Sequence, residues 1–66
     1  KARPLDPLTP AVRAAAELYA AGMSHRAVAE RLGRAPGTVR NQIAEAYARL
    51  RVRSKLALAD RLSRRE

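Results

Sequence analysis

The chain has 66 residues, enough for one domain with one small core but not for a deep pocket as well. Fourteen Lys and Arg against six Asp and Glu give a formal net charge of +8, a field that attracts nucleic acid or an acidic membrane surface. With no cysteine, disulfides and thiolate metal sites are excluded, and no apolar run approaches the roughly 20 residues of a membrane span.

The first half of the chain predicts a lead-in followed by two helices. Residues 1–7 contain two prolines and read as a linker, with the folded domain expected over 8–66. Thr9-Pro10 is a typical helix start, and this first helix is expected over about 10–21, ended by Gly22. Ser24 is predicted to cap a second helix, over 24–32, which Gly33 ends.

The second half predicts two further helices. Pro36 begins a third helix over about 36–51, and Ser54 caps a fourth over about 54–64. The second and third helices are joined by a turn so short that they form a helix-turn-helix. Alanine-rich composition and only two aromatic residues favour thin, closely packed helices over a β-sandwich. The expected fold is therefore all-α with four helices.

The third helix has two different faces. Apolar residues recur at three-and-four spacing, which predicts one buried stripe: Val39, Ile43, Ala46 and Leu50. Small, amide and basic side chains occupy the other face, at Gly37, Arg40, Asn41, Ala44 and Ala48. In a major groove, arginine pairs with guanine, asparagine pairs with adenine, and an alanine methyl can touch thymine. This pattern is typical of a recognition helix, although a plain solvated face has the same composition.

The chain resembles the C-terminal DNA-binding domain of the LuxR/FixJ family of bacterial regulators. The matching positions run through nearly the whole chain in one register: Leu8-Thr9, Ala20, Gly22, Ser24, Val28-Ala29, Leu32, Thr38-Val39-Arg40, Arg49-Leu50, Val52 and Lys55. The resemblance implies a third helix in the major groove and a fourth helix that forms a two-fold dimer on an inverted repeat. The partners expected are therefore double-stranded DNA and a second copy, with no membrane, small molecule, cofactor or metal, in a bacterial cytoplasm.

The candidate site residues divide by what they are expected to contact. By resemblance, Arg40, Asn41 and Ala44 face bases, and Thr38 and the start of the second helix face phosphates. The full DNA-binding set is Ser24, His25, Arg26, Gly37, Thr38, Arg40, Asn41, Ala44 and Lys55. Leu56 and Ala59 are expected to form the dimer interface, because Leu58 and Leu62 already supply the core side of the fourth helix.

The chain departs from that family at its helix starts. Ala11-Val12 and Ala27 stand where the family commonly has Arg-Glu and Glu, so the reciprocal carboxylates of two capping boxes are missing. Ala35 replaces a capping Ser, Arg34 an apolar residue and Gln42 a His. Each lost side-chain cap costs about 1 kcal/mol, which predicts lower stability and leaves weak or altered DNA binding open.

Three other functions compete with this interpretation. One is a helix-turn-helix retained for protein interaction or dimerisation, and another is a promoter-reading region of a sigma factor. A basic amphipathic membrane binder is disfavoured, because the core needs the apolar stripes. Catalysis is not expected: His25 is the only histidine, and Ser24 is better explained as a cap than as a nucleophile.

Overall fold

Four helices and no strand make up the part of the chain that the computed structural model describes, residues 8–63. They are α1 (Pro10–Ala20), α2 (His25–Leu32), α3 (Pro36–Leu50) and α4 (Lys55–Ser63). The all-α prediction is confirmed, and the predicted helix ends shift by one residue because the capping residues themselves lie outside the helices. The proposed lead-in at 1–7 and the residues after 63 lie outside the described part.

Side-chain caps begin three of the four helices, as the sequence predicted. A hydroxyl oxygen accepts the backbone N–H three residues on: Thr9 from Val12 at 3.2 Å, Ser24 from Ala27 at 3.1 Å, and Ser54 from Ala57 at 3.0 Å. α3 has Ala35 at its N-cap and no side-chain hydrogen bond there. The recognition-type helix therefore starts without a bond that contributes about 1 kcal/mol elsewhere.

The first three helices end in the same pair of backbone hydrogen bonds. After α1, Gly22 N donates to Tyr19 O at 3.0 Å and Met23 N donates to Leu18 O at 3.2 Å. These bonds form a Schellman motif, in which the residue after the helix takes a positive φ. Gly22 (φ 115°) and Gly33 (φ 68°) supply it as predicted, whereas α3 uses Arg51 (φ 57°), which the sequence did not reveal.

Two groups of buried side chains form the core, and α1 and α3 contribute to both. The α4 cluster joins α1, α3 and α4 and consists of Leu8, Val12, Ala16, Ala46, Leu50 and Leu58. The turn cluster joins α1, α2 and α3 and consists of Ala15, Val28, Ala29, Val39 and Ile43. The predicted buried stripe of α3 is confirmed, and this shared core fixes the helix-turn-helix against α1.

α4 packs through Leu58, which is fully buried, and Leu62, which is half-buried. Arg61 reinforces this contact, because its Nη1 donates to Leu50 O at 3.2 Å and so satisfies a carbonyl at the end of α3. Leu56 is 82% exposed. Ala59, however, is half-buried and lines a shallow groove with Ala20 and Leu62, so the prediction that it points away with Leu56 is only partly right.

Candidate nucleic-acid interface

The leading end of α3 presents its exposed side chains on the side opposite the core. Val39 and Ile43 are buried in the turn cluster, while Arg40, Asn41 and Ala44 are exposed. One guanidinium group, one amide group and one methyl group therefore project from a helix whose opposite face is packed in the core. This arrangement can present hydrogen-bond donors and an apolar contact to the edges of base pairs.

Gly37 and Thr38 lie in the first turn of α3 and are also exposed. A Cβ at Gly37 would meet no atom of the protein within 4 Å, and its φ is not positive. Neither packing nor backbone conformation within the chain therefore requires glycine at this position. An approaching molecule would come closer to the backbone here than a side chain allows.

The start of α2 lies beside the C-terminal end of α1. Ser24 and Arg26 are exposed, and no acidic residue occupies the first turn of α2. The side chain of His25 is half-buried, with its ring stacked on Tyr19 at 4.7 Å between ring centroids. An aromatic neighbour from α1 therefore holds the His25 ring, which is not simply an exposed polar side chain.

Lys55, the first residue of α4, reaches the same tyrosine. Its Nζ lies 4.3 Å from the centroid of the Tyr19 ring, a cation–π contact. Among the described helices, α2 and α4 are the pair that do not pack on each other, yet Tyr19 brings their first residues to one place. The sequence does not reveal this role of Tyr19, since the contact spans three helices.

Arg34, in the turn between α2 and α3, makes two hydrogen bonds that the sequence did not reveal. Its Nη1 donates to Ala11 O at 3.1 Å and to Gln42 Oε1 at 2.8 Å. Two departures noted separately in the sequence, Arg34 and Gln42, are thus partners. We call Arg34, Gln42 and the Ala11 carbonyl the turn clamp.

Two ion pairs lie on the surfaces of α1 and α3. Glu45 Oε2 accepts from Arg49 Nε at 2.8 Å, and Glu17 Oε2 lies 3.5 Å from Arg13 Nη1. Both are exposed pairs one helical turn apart, which contribute a few tenths of a kcal/mol each. The Glu45 carboxylate is therefore held by its neighbour on the helix and is a poor candidate for accepting from a cytosine amino group.

Tyr47 is half-buried and packs against both clusters. Burial raises the pKa of its phenol, and the negative charge of an ionised Tyr19 nearby raises it further. Tyr47 therefore stays neutral and contributes packing. No group of three or more His, Cys, Asp or Glu that could hold a metal ion occurs among residues 8–63, and no helix there is long and apolar enough to cross a membrane.

Comparison with known families decides between the related helix-turn-helix alternatives. The sequence profile described as Sigma-70, region 4, matches residues 5–50, which include α1, α2 and α3 entire. The chain belongs to the sigma-70 region 4 family. This is a family of helix-turn-helix domains that bind DNA and read promoters, so DNA is a partner of the chain.

The family match corrects the finer resemblance. The sigma-factor alternative is the one that it supports, and membership of the LuxR/FixJ family is not shown. Several positions that carry the LuxR/FixJ resemblance, among them Leu50, Val52 and Lys55, lie at or beyond the end of the matched region, as does α4. No curated protein and no solved structure matches the chain.

Proposed function

We propose that this region 4 domain binds double-stranded DNA sequence-specifically, with α3 in the major groove, and so reads a promoter element. The observation that carries the proposal is the exposed leading face of α3 on a helix whose opposite face is buried. A recognition helix needs both properties, because base contacts discriminate only when the helix that makes them is held in one orientation. Residues 8–66 would form the DNA-binding unit, acting at the bacterial nucleoid in the cytoplasm.

Two groups of residues share the work. Arg40, Asn41 and Ala44 contact base edges, with Gly37 allowing the backbone to come close. Phosphates are contacted by Ser24, His25, Arg26, Thr38 and Lys55. The positions of these residues support this division, since Ser24, His25 and Arg26 lie at the start of α2 and Lys55 starts α4, where the helix dipole is positive and attracts phosphate.

The test compares base and phosphate contacts in one series. The probe is a duplex selected by the wild-type protein from a randomised pool, with a scrambled duplex of equal length, each titrated at several salt concentrations. Arg40→Ala and Asn41→Ala should each weaken binding to the selected duplex by about 1–3 kcal/mol and to the scrambled duplex less. Arg26→Ala and Lys55→Ala should weaken both about equally and reduce the salt slope by about one.

Two outcomes would overturn the assignment. If all four substitutions lower both affinities in parallel, base readout does not lie at Arg40 and Asn41. If the pool yields no preferred duplex and no substitution matters, the fold serves as a protein-interaction module instead.

A second candidate concerns assembly, and the exposed Leu56 favours it. An apolar side chain that is 82% exposed on α4 is available for a second copy, with Ala59 beside it. We propose a weak homodimer through this face, suited to two half-sites in inverted repeat. Sedimentation at high concentration, with and without a two-site duplex, should show association that Leu56→Asp abolishes. Unchanged behaviour of the variant would remove the interface.

A further inference from the structure

We infer that the turn clamp is a specificity-determining device: Arg34 fixes the orientation of α3 through Gln42 and does not act as a phosphate contact. This inference rests on the proposed function. An arginine in the turn of a helix-turn-helix, in a protein of charge +8, would ordinarily be assigned to the DNA backbone. The hydrogen bonds of Arg34 point to a different role.

Both the backbone and the side chain of Arg34 are held by hydrogen bonds. Its N–H donates to Ala29 O at 2.9 Å, which closes the end of α2 after Gly33. The side chain is half-buried and its Nη1 is shared between two oxygens, one on α1 and one on α3. Both hydrogen bonds are made by the same Nη1 atom, so extending the side chain toward a phosphate would break them together.

The turn clamp contacts α3 at Gln42, a position from which it can resist rotation of the helix about its own axis. Gln42 lies between Asn41, which is exposed, and Ile43, which is buried, so it occupies the flank between the outer face and the core face. A bond from this flank to α1 resists rotation of α3 about its own axis. α3 has no side-chain cap at Ala35, and Arg34 adds a polar contact to it further along, at Gln42 in its second turn. Arg40 and Asn41 can discriminate bases only while that rotation is fixed.

The hydrogen bond from Arg34 also fixes which way the side-chain amide of Gln42 is oriented. Its Oε1 accepts from the guanidinium, so its NH₂ group is the end that remains available as a donor. Both oxygens that accept from Arg34 are uncharged, one a backbone carbonyl and one an amide. Positioning and charge can therefore be separated by substitution, because Gln42 can be changed without altering the net charge.

The experiment measures the ratio of affinities for the selected and scrambled duplexes, with thermal unfolding of every variant as a check on folding. Arg34→Ala and Gln42→Ala should each lower the ratio about tenfold, and the double variant should lower it no further, as expected for residues acting as one unit. Gln42→Glu should keep the ratio, since a carboxylate at this position also accepts from the guanidinium. Arg31→Ala is the matched charge control, an exposed arginine in the last turn of α2, and should leave the ratio unchanged.

Four results would overturn the inference. If Arg34→Ala lowers both affinities equally and reduces the salt slope more than Arg31→Ala does, Arg34 is a phosphate contact. Loss of discrimination in Gln42→Ala but not in Arg34→Ala would show that Gln42 reads a base by itself. If the wild-type protein has no preferred duplex, the proposed function fails and the inference falls with it, whereas a discriminating wild type with unaffected variants removes only the clamp.

Discussion

At the scale of single residues, glycines at two positions have different physical reasons. Gly22 takes a φ of 115°, which L side chains rarely adopt, so its role is to turn the chain after α1. Gly37 has an ordinary helical backbone and open space where a Cβ would lie. The protein's own structure explains the first glycine and not the second, which is why we assign Gly37 to the approach of DNA.

This difference predicts opposite effects of one substitution. Gly37→Ala should stabilise the free domain by up to about 1 kcal/mol, because alanine is the better helix former, while weakening DNA binding through the added methyl. Gly22→Ala is the control and should destabilise by about 1 kcal/mol, because its strained backbone remains. Thermal unfolding and duplex titration measure the two quantities. A Gly37→Ala variant that binds DNA as well as the wild type would place the DNA elsewhere.

At the scale of the helices, the sequence predicted the features that depend on residues close together in the chain, namely the helix caps and the buried stripe of α3. Thr9, Ser24 and Ser54 cap as expected, because a hydroxyl and a backbone N–H three residues apart meet whenever a helix begins there. The buried stripe of α3 followed from its spacing. Leu8 completes a core cluster although it precedes α1, and no periodic pattern extends to it.

Contacts between distant residues were not predictable from the sequence. Arg34 and Ala11 are 23 positions apart, and Arg61 and Leu50 are 11 apart, so they meet only after the helices have packed. The left-handed backbone of Arg51 was missed because arginine gives no signal for it, unlike glycine. The site residues on α3 were found from its exposed face, whereas the clamp that holds this face needed the structure.

At the scale of the whole molecule, α4 is joined to the rest through one of the two core clusters. Its fully buried residue is Leu58, within the α4 cluster, and none of its residues belongs to the turn cluster. The helix-turn-helix thus has buried contacts of its own with α1, and α4 supports that unit from the other side. The matched region of the family ends at residue 50, before α4 begins.

Two leucines on α4 test this arrangement as a matched pair. Leu58→Ala should destabilise the domain by about 2–5 kcal/mol, because it leaves a cavity where the side chain is fully buried. Leu56→Ala, two residues away and 82% exposed, should change stability by about 0.5 kcal/mol or less. Urea unfolding of the three proteins measures the difference. Equal effects would mean that α4 packs through another face.

The net charge of the molecule affects its stability as well as what it binds. Fourteen cationic side chains in 66 residues repel one another, and no helix carries an acidic residue in its first turn to offset the positive end of its dipole. Any polyanion that binds the native state relieves this repulsion and raises the melting temperature by mass action. Bound DNA thereby stabilises the fold in the manner of a cofactor. This small domain should have its highest melting temperature when DNA is bound.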